Sequence, residues 1–219
     1  MSSTNRGGKR SPADYYPTPA WCVDRLLERL GAGVLPTSGS RWVEPCAGEG
    51  DIVRAVGPAP KWHLNELRDT CRPILTGLVA PENVTHHDVL AWQTRSQWDV
   101  CITNPPFSLA FDVMQWSLQH AHTTCLLLRL NWLGGGRSTW LRAHTPDVYV
   151  LPNRPSFDGR STDSIEYAWF VWSRRLGAGN SQNPFAAYAR TAGRLELLDA
   201  TDVKVRSEQK SRFKSRMAT

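Results

Sequence analysis

Asn104-Pro105-Pro106-Phe107 is the segment of this 219-residue chain best suited to do chemistry. It follows an apolar run, Val100-Cys101-Ile102, that reads as the end of a strand. Two prolines hold the backbone extended and leave the preceding carbonyl without a local partner. The Asn104 side-chain oxygen and the Pro105 carbonyl can then both accept hydrogen bonds from one amino group. That localises the amino lone pair on nitrogen and makes it a better nucleophile toward a methyl sulfonium. Asn104 is neutral and cannot be a strong base, so such catalysis rests on proximity and oriented dipoles. Phe107 offers a ring face for a base taken out of its helix. The competing reading is a proline-rich strand-to-loop turn with a core phenylalanine.

Three further segments suit a ligand rather than a reaction. Glu44-Pro45-Cys46-Ala47-Gly48-Glu49-Gly50 lies between a strand and a helix, and its glycines let the backbone turn tightly and approach a ligand. It is neither GxGxxG nor a Walker loop, which disfavours a dinucleotide or a triphosphate. An acid at the strand end with GxG in the turn suits a ligand with a cationic end, such as S-adenosylmethionine. Glu66, at the end of the next strand, is placed to accept hydrogen bonds from both ribose hydroxyls of a nucleoside. Asp88, after the third strand, could accept one from an adenine amino group. Singly, each has an ordinary reading as a turn or a solvated carboxylate. Together they fall at successive strand ends, where open α/β sheets bind ligands.

The elements that must position these residues alternate between helix and strand, which predicts an α/β domain with a mostly parallel sheet. Val23, Leu26, Leu27 and Leu30 predict a helix over about 20–30, stopped by Gly31 and Gly33. Strands are expected at Arg41–Glu44, Lys61–Glu66, Asn83–His87, Trp98–Thr103, Thr124–Leu130, Val148–Leu151 and Glu166–Trp172. Helices are expected from Asp51, at Thr70–Val79, at Ala110–Ala121 and at Ser138–Ala143, with a weak element near 186–198.

Composition bounds the setting. Length and a 41% hydrophobic share fit one globular core, expected over 14–175. No apolar run reaches bilayer length, and MSSTNRGGKR has no h-region of a signal peptide. Five cysteines without a CxxC give no disulfide or zinc framework and point to a reducing, cytoplasmic setting. His86, His87, His120 and His122 form no ligand framework either, so no metal is expected. The net charge of +6 lies in the ends: Arg6, Lys9 and Arg10, and six basic residues against Glu208 over 204–219, leave 11–203 acidic by two. Such ends, a flexible 1–13 and an irregular 176–219, suit a polyanion through phosphate contacts or serve as solubilising tails. Most of the ten tryptophans are expected in the core. Arg129, Asn131, Arg137, Arg142, Arg154 and Arg160 flank the expected substrate face, where arginine grips phosphates, reads bases or is simply solvated.

With these residues in view, the sequence resembles the amino-methyltransferases of DNA. Asn104–Phe107 is similar to their Asp/Asn/Ser-Pro-Pro-Tyr/Phe motif, and Glu44–Gly50 to their Asp/Glu-Pro-x-x-Gly-x-Gly cofactor motif. Tyr16-Pro17-Thr18-Pro19-Ala20-Trp21 is similar to the segment that closes over the methionine moiety of the cofactor. The resemblance covers roughly 14–173. It implies a Rossmann-like, seven-stranded methyltransferase sheet, mostly parallel with a C-terminal antiparallel hairpin. It also implies S-adenosylmethionine contacts from Tyr16, Pro17, Thr18, Pro19, Glu44, Pro45, Cys46, Ala47, Gly48, Gly50, Glu66 and Asp88. Asn104, Pro105, Pro106 and Phe107 would be catalytic. Arg137, Arg154, Phe157 and Arg160 would meet the substrate, Phe157 as the wall of the target pocket.

The expected reaction is methyl transfer to adenine N6 in DNA, by in-line attack from a flipped-out base. Asparagine at the first motif position favours adenine, and the Pro-Thr-Pro lid favours DNA. RNA adenine-N6 or guanine-N2 transfer, DNA cytosine-N4 transfer and a catalytically silent nucleic-acid-binding module are the alternatives. The sequence shows no large target-recognition region, which departs from site-specific family members and resembles compact enzymes of bacteriophages, acting in a bacterial or infected host cytoplasm.

Overall fold

A computed structural model describes residues 16–157, 161–174, 183 and 185–199. The chain runs α1 (Ala20–Val34), β1 (Arg41–Glu44), α2 (Asp51–Val56), β2 (Lys61–Asn65), α3 (Arg72–Leu75), β3 (Val84–Thr85), β4 (Trp98–Thr103), α4 (Ala110–His120), β5 (Ala121–Arg129), α5 (Ser138–Ala143), β6 (Asp147–Val150), β7 (Tyr167–Ser173) and β8 (Leu195–Leu197). The strands form one sheet in the order β3-β2-β1-β4-β5-β7-β6-β8. β1 through β5 are parallel, and β7 pairs antiparallel with both β5 and β6. The mostly parallel α/β sheet with a C-terminal antiparallel hairpin matches the expectation. It carries one strand more than the expected seven, because β8 pairs parallel with β6.

This order fixes where a ligand can bind. From β1 the chain winds outward through β2 and β3, then returns to start β4 on the other side of β1. The crevice beyond the carboxyl ends of β1 and β4 is therefore the switch point of the sheet. The loops that follow these two strands are Pro45–Gly50 and Asn104–Phe107.

The central strands are buried on both faces, and side chains of β5 and β7 alternate between two apolar layers. Cys125 and Leu127 join Tyr167, Trp169 and Val171 in a layer with Trp21, Leu26 and Trp42. Leu126 and Leu128 join Ala168, Phe170 and Trp172 in a layer with Met114 and Trp132. Trp169 is fully buried and its Nε1 donates to the Cys22 carbonyl at 2.7 Å, pinning the first turn of α1 to the sheet. A side chain of that size in the core is worth about 3–5 kcal/mol against alanine, which holds the segment before α1 near the crevice.

Two helices differ from expectation for local reasons. α1 extends to Val34 only through Gly31, whose φ of 60° interrupts the helical backbone. The helix expected over Thr70–Val79 is a 3₁₀ turn, Asp69–Cys71, followed by the four-residue α3. Pro73 lacks an N–H and cannot continue a helix begun earlier. All five cysteines are free, and all but Cys46 are buried. Among the described residues no helix is long and apolar enough to cross a membrane.

Candidate active site

Tyr16-Pro17-Thr18-Pro19 enters the crevice from one side. Its prolines keep it extended, and Pro19, with φ −61° and ψ 133°, hands the chain directly into α1. Opposite stands Asn104, just past the end of β4. Its Nδ2 donates to the Tyr16 carbonyl at 3.2 Å and lies 3.1 Å from Thr18 Oγ1. A carbonyl can only accept, so the amide nitrogen must face the lid. Asn104 Oδ1 is buried and has no hydrogen-bond partner, and the residue lines the cleft. Among the described residues nothing donates to the Pro105 carbonyl, whereas the Pro106 carbonyl accepts from Leu109 N–H at 2.9 Å. Among the described residues the loop thus presents two acceptors without a donor.

The loop after β1 is anchored by one residue that the sequence reading did not single out. Asn65, 1% exposed at the end of β2, uses its whole amide. Nδ2 donates to the Pro45 and His87 carbonyls, both at 3.0 Å. Oδ1 accepts from His87 N–H and Thr85 Oγ1, both at 2.9 Å. Asn65 also accepts Ala47 N–H on its backbone carbonyl at 2.8 Å. It therefore fixes the turn after β1 to the loop that carries Asp88. Gly48 and Gly50 adopt φ of 55° and 80°, which only glycine takes without strain.

The acids are disposed unequally. Glu66 Oε2 accepts from Gly48 N–H at 2.7 Å, and Oε1 accepts from Arg68 N–H at 3.1 Å and Arg68 Nε at 2.7 Å. Asp88 is exposed and accepts locally from Leu90 N–H at 3.0 Å. Glu44 is 2% exposed and its Oε2 has no partner. Burial, and then the charges of Asp51 and Glu66, push its carboxyl well above the usual range, opposed by Arg54. A buried carboxyl oxygen without a partner is costly unless a ligand supplies a donor or a cation.

The crevice forms an open cleft rather than an enclosed cavity. It brings together Tyr16, Thr18, Glu44, Pro45, Cys46, Ala47, Gly48, Glu66, Asp88, Asn104, Pro105 and Pro106. Sequence reasoning missed the walls given by Asp51, Ile52, Leu67, Arg68, His87 and Val89. Leu67, directly after Glu66 and 63% exposed, was legible as an apolar residue at a strand end. Pro17, Pro19, Gly50 and Phe107 do not line the cleft; Phe107 stacks on Tyr16 with centroids 5.8 Å apart. Phe157 is buried against Tyr16, centroids 5.9 Å apart.

Of the arginines expected at the substrate, Arg137 and Arg154 are each held by a protein partner. Arg137 Nε donates to the Trp132 carbonyl at 3.0 Å, and its guanidinium lies over the Trp132 ring. Arg154 pairs at 2.6 Å with Glu166 on the exposed surface. Arg160 and the basic segments 1–10 and 204–219 lie outside the described residues. Among the described residues no group of three or more His, Cys, Asp or Glu could hold a metal ion.

No family model and no curated protein matches the chain in sequence. Solved structures do match in fold. A protein described as an RNA methyltransferase, from Pyrococcus horikoshii, superposes with a TM-score of 0.60 at 14% identity, over 81% of this chain and 94% of that one. A protein described as a class I S-adenosylmethionine-dependent methyltransferase, from Listeria monocytogenes, gives 0.53 at 12% identity, over 89% and 67%. A modification subunit ascribed to a type I restriction enzyme, from Vibrio vulnificus, gives 0.53 at 12% identity, over 72% and 44%. The chain thus has the fold of class I methyltransferases, for which S-adenosylmethionine is the expected cofactor.

Proposed function

We propose that this protein transfers a methyl group from S-adenosylmethionine to the N6 amino group of adenine in DNA. The observation that carries the proposal is the pair of acceptors that have no donor among the described residues, Asn104 Oδ1 and the Pro105 carbonyl, at the edge of a cleft where one buried oxygen of Glu44 also lacks a partner. The cofactor supplies an electrophilic methyl on a sulfonium. Glu44 takes its cationic amino-acid end, Glu66 its ribose hydroxyls, and Asp88 and Leu67 its adenine. Thr18 and the Tyr16 carbonyl hold the Asn104 amide so that only its oxygen faces the substrate. Asn104 and Pro105 accept both hydrogens of the target amino group and concentrate its lone pair on nitrogen, with the geometry fixed before substrate arrives. Phe107 stacks the extruded base. The core spans 14–175, and the basic ends hold the phosphates of the nucleic acid.

DNA is favoured by the likeness of the Pro-Thr-Pro lid and by the Vibrio modification subunit. RNA amino-methylation is the second reading, favoured by the Pyrococcus neighbour. Purified protein with tritiated S-adenosylmethionine, offered unmethylated DNA and ribosomal RNA in parallel, separates them. Label is expected in DNA; label confined to RNA contradicts the leading reading, and label in neither contradicts both.

A further inference from the structure

Arg129, Asp163 and Tyr167 lie beside Asn104–Phe107, and the proposed reaction leaves them without a role. Arg129 ends β5 directly opposite Tyr167 in the antiparallel register with β7, so the two side chains share one face of the sheet. Arg129 Nε donates to the Tyr167 hydroxyl at 3.0 Å. Tyr167 is fully buried, and burial raises its phenol far above the ordinary value, so the hydroxyl keeps its one proton. It donates that proton to Asp163 Oδ2 at 2.7 Å, and Arg129 Nη2 lies 3.5 Å from the same oxygen. Each bond in this triangle has one allowed direction.

The guanidinium so fixed sits 4.6 Å from the centroid of the Phe107 ring, within cation–π range. The same ring stacks on Tyr16 and tilts against Tyr167, with centroids 5.8 Å away in both cases. Phe157 closes the group from Tyr167, at 5.0 Å. The plane of Phe107 is thus set by residues distant in sequence from the Asn-Pro-Pro-Phe segment. An arginine with Nε and Nη2 committed and its face on a ring is poorly free to follow a phosphate.

We infer that Arg129, held by Tyr167 and Asp163, is a positioning residue that fixes Phe107 and, through it, the Asn104 and Pro105 acceptors that meet the target base. The inference rests on the proposed base-methylating function. Lysine would keep the charge, but it lacks the planar fork that reaches Tyr167 and Asp163 while covering Phe107.

The test compares wild type, Arg129→Lys, Arg129→Met and Tyr167→Phe on duplex DNA from an adenine-methylation-deficient host, at saturating S-adenosylmethionine. It reads kcat, KM for DNA with its salt dependence, and cofactor Kd. Both Arg129 variants are expected to lower kcat about tenfold, with KM within about threefold and the salt slope and cofactor Kd unchanged. Tyr167→Phe, which keeps the ring in the core, should lower kcat in the same way by a smaller factor; it preserves the test where an Arg129 variant does not fold. Restoration of kcat by lysine overturns the inference. So does a raised KM at unchanged kcat with a salt slope smaller by about one, the mark of a phosphate contact, and so does a Tyr167→Phe protein with wild-type kcat. A wild type that methylates no nucleic acid refutes the function and the inference together; an active wild type with indifferent variants refutes the inference alone.

Discussion

Replacing Asn65 by leucine should dismantle the cofactor site while leaving every residue that lines it in place. Leucine matches the volume but makes none of the four amide hydrogen bonds. Thr85 Oγ1 keeps a partner in His63 Nε2 at 3.2 Å, so three groups are stranded: the Pro45 carbonyl, the His87 carbonyl and the His87 N–H. An orphaned buried group costs about 1–3 kcal/mol. The exposed His87 lets water reach two of the three, so the total is about 2–4 kcal/mol. For a domain of this size that lowers Tm by about 4–16 °C. The turn after β1 and the loop bearing Asp88 also lose their common anchor, so cofactor affinity should fall at least about tenfold, or ~1.4 kcal/mol. Thermal unfolding followed by circular dichroism, with calorimetric titration of S-adenosylmethionine well below the variant's Tm, measures both. A variant that melts within about 2 °C of wild type and binds with the same Kd would show that Asn65 does not hold the two loops together.

Asn104→Ala removes the acceptor for the target amino group and should lower kcat by about 10²–10³ with cofactor Kd within about threefold, measured by methyl incorporation and calorimetry; lost cofactor binding would mean that the asparagine belongs to the cofactor site. Glu44 has its carboxyl raised in the free protein, and a cationic ligand favours its ionised form, so binding should release a proton and affinity should rise with pH above the usual carboxylate range. Because the folded pKa lies above the unfolded one, Glu44's contribution to stability is present below the unfolded value and is lost as pH rises through the folded one; Glu44→Gln should flatten both trends, read by titration in buffers of differing ionisation enthalpy and by Tm against pH. Deleting 204–219 removes six cations and one anion, so DNA affinity should fall and the slope of log affinity against log salt should flatten; filter binding from about 50 to 200 mM salt checks it, and an unchanged slope would make the segment a bystander.

What could be read in the sequence was what depends on neighbours in sequence. Proline and glycine act on their own backbone, so the extended Asn104–Phe107 segment and the turn at Gly48 and Gly50 were visible as residue types. β4 and β5 were visible as short apolar runs. Asn65 was not, because an asparagine at a strand end reads as a turn residue until its partners 20 and 22 residues away are known. Arg129 looked like a solvated or phosphate-binding charge, since Tyr167 and Asp163 reach it only through the pairing of β5 with β7. β8 inverts the usual pattern: Leu195 and Leu197 face solvent, while the less exposed Glu196 meets Arg29 of α1. A three-residue strand with its apolar side outward gives no periodicity to detect.

The chemical identity of the product tests the proposed reaction most directly. Unmethylated DNA incubated with the purified protein and S-adenosylmethionine, digested to nucleosides and resolved by mass spectrometry, should yield N6-methyl-2′-deoxyadenosine. The Asn104→Ala protein should yield none above background. N4-methyl-2′-deoxycytidine as the product, or the adenine product at equal yield from Asn104→Ala, would contradict the proposed role of the Asn104 and Pro105 acceptors.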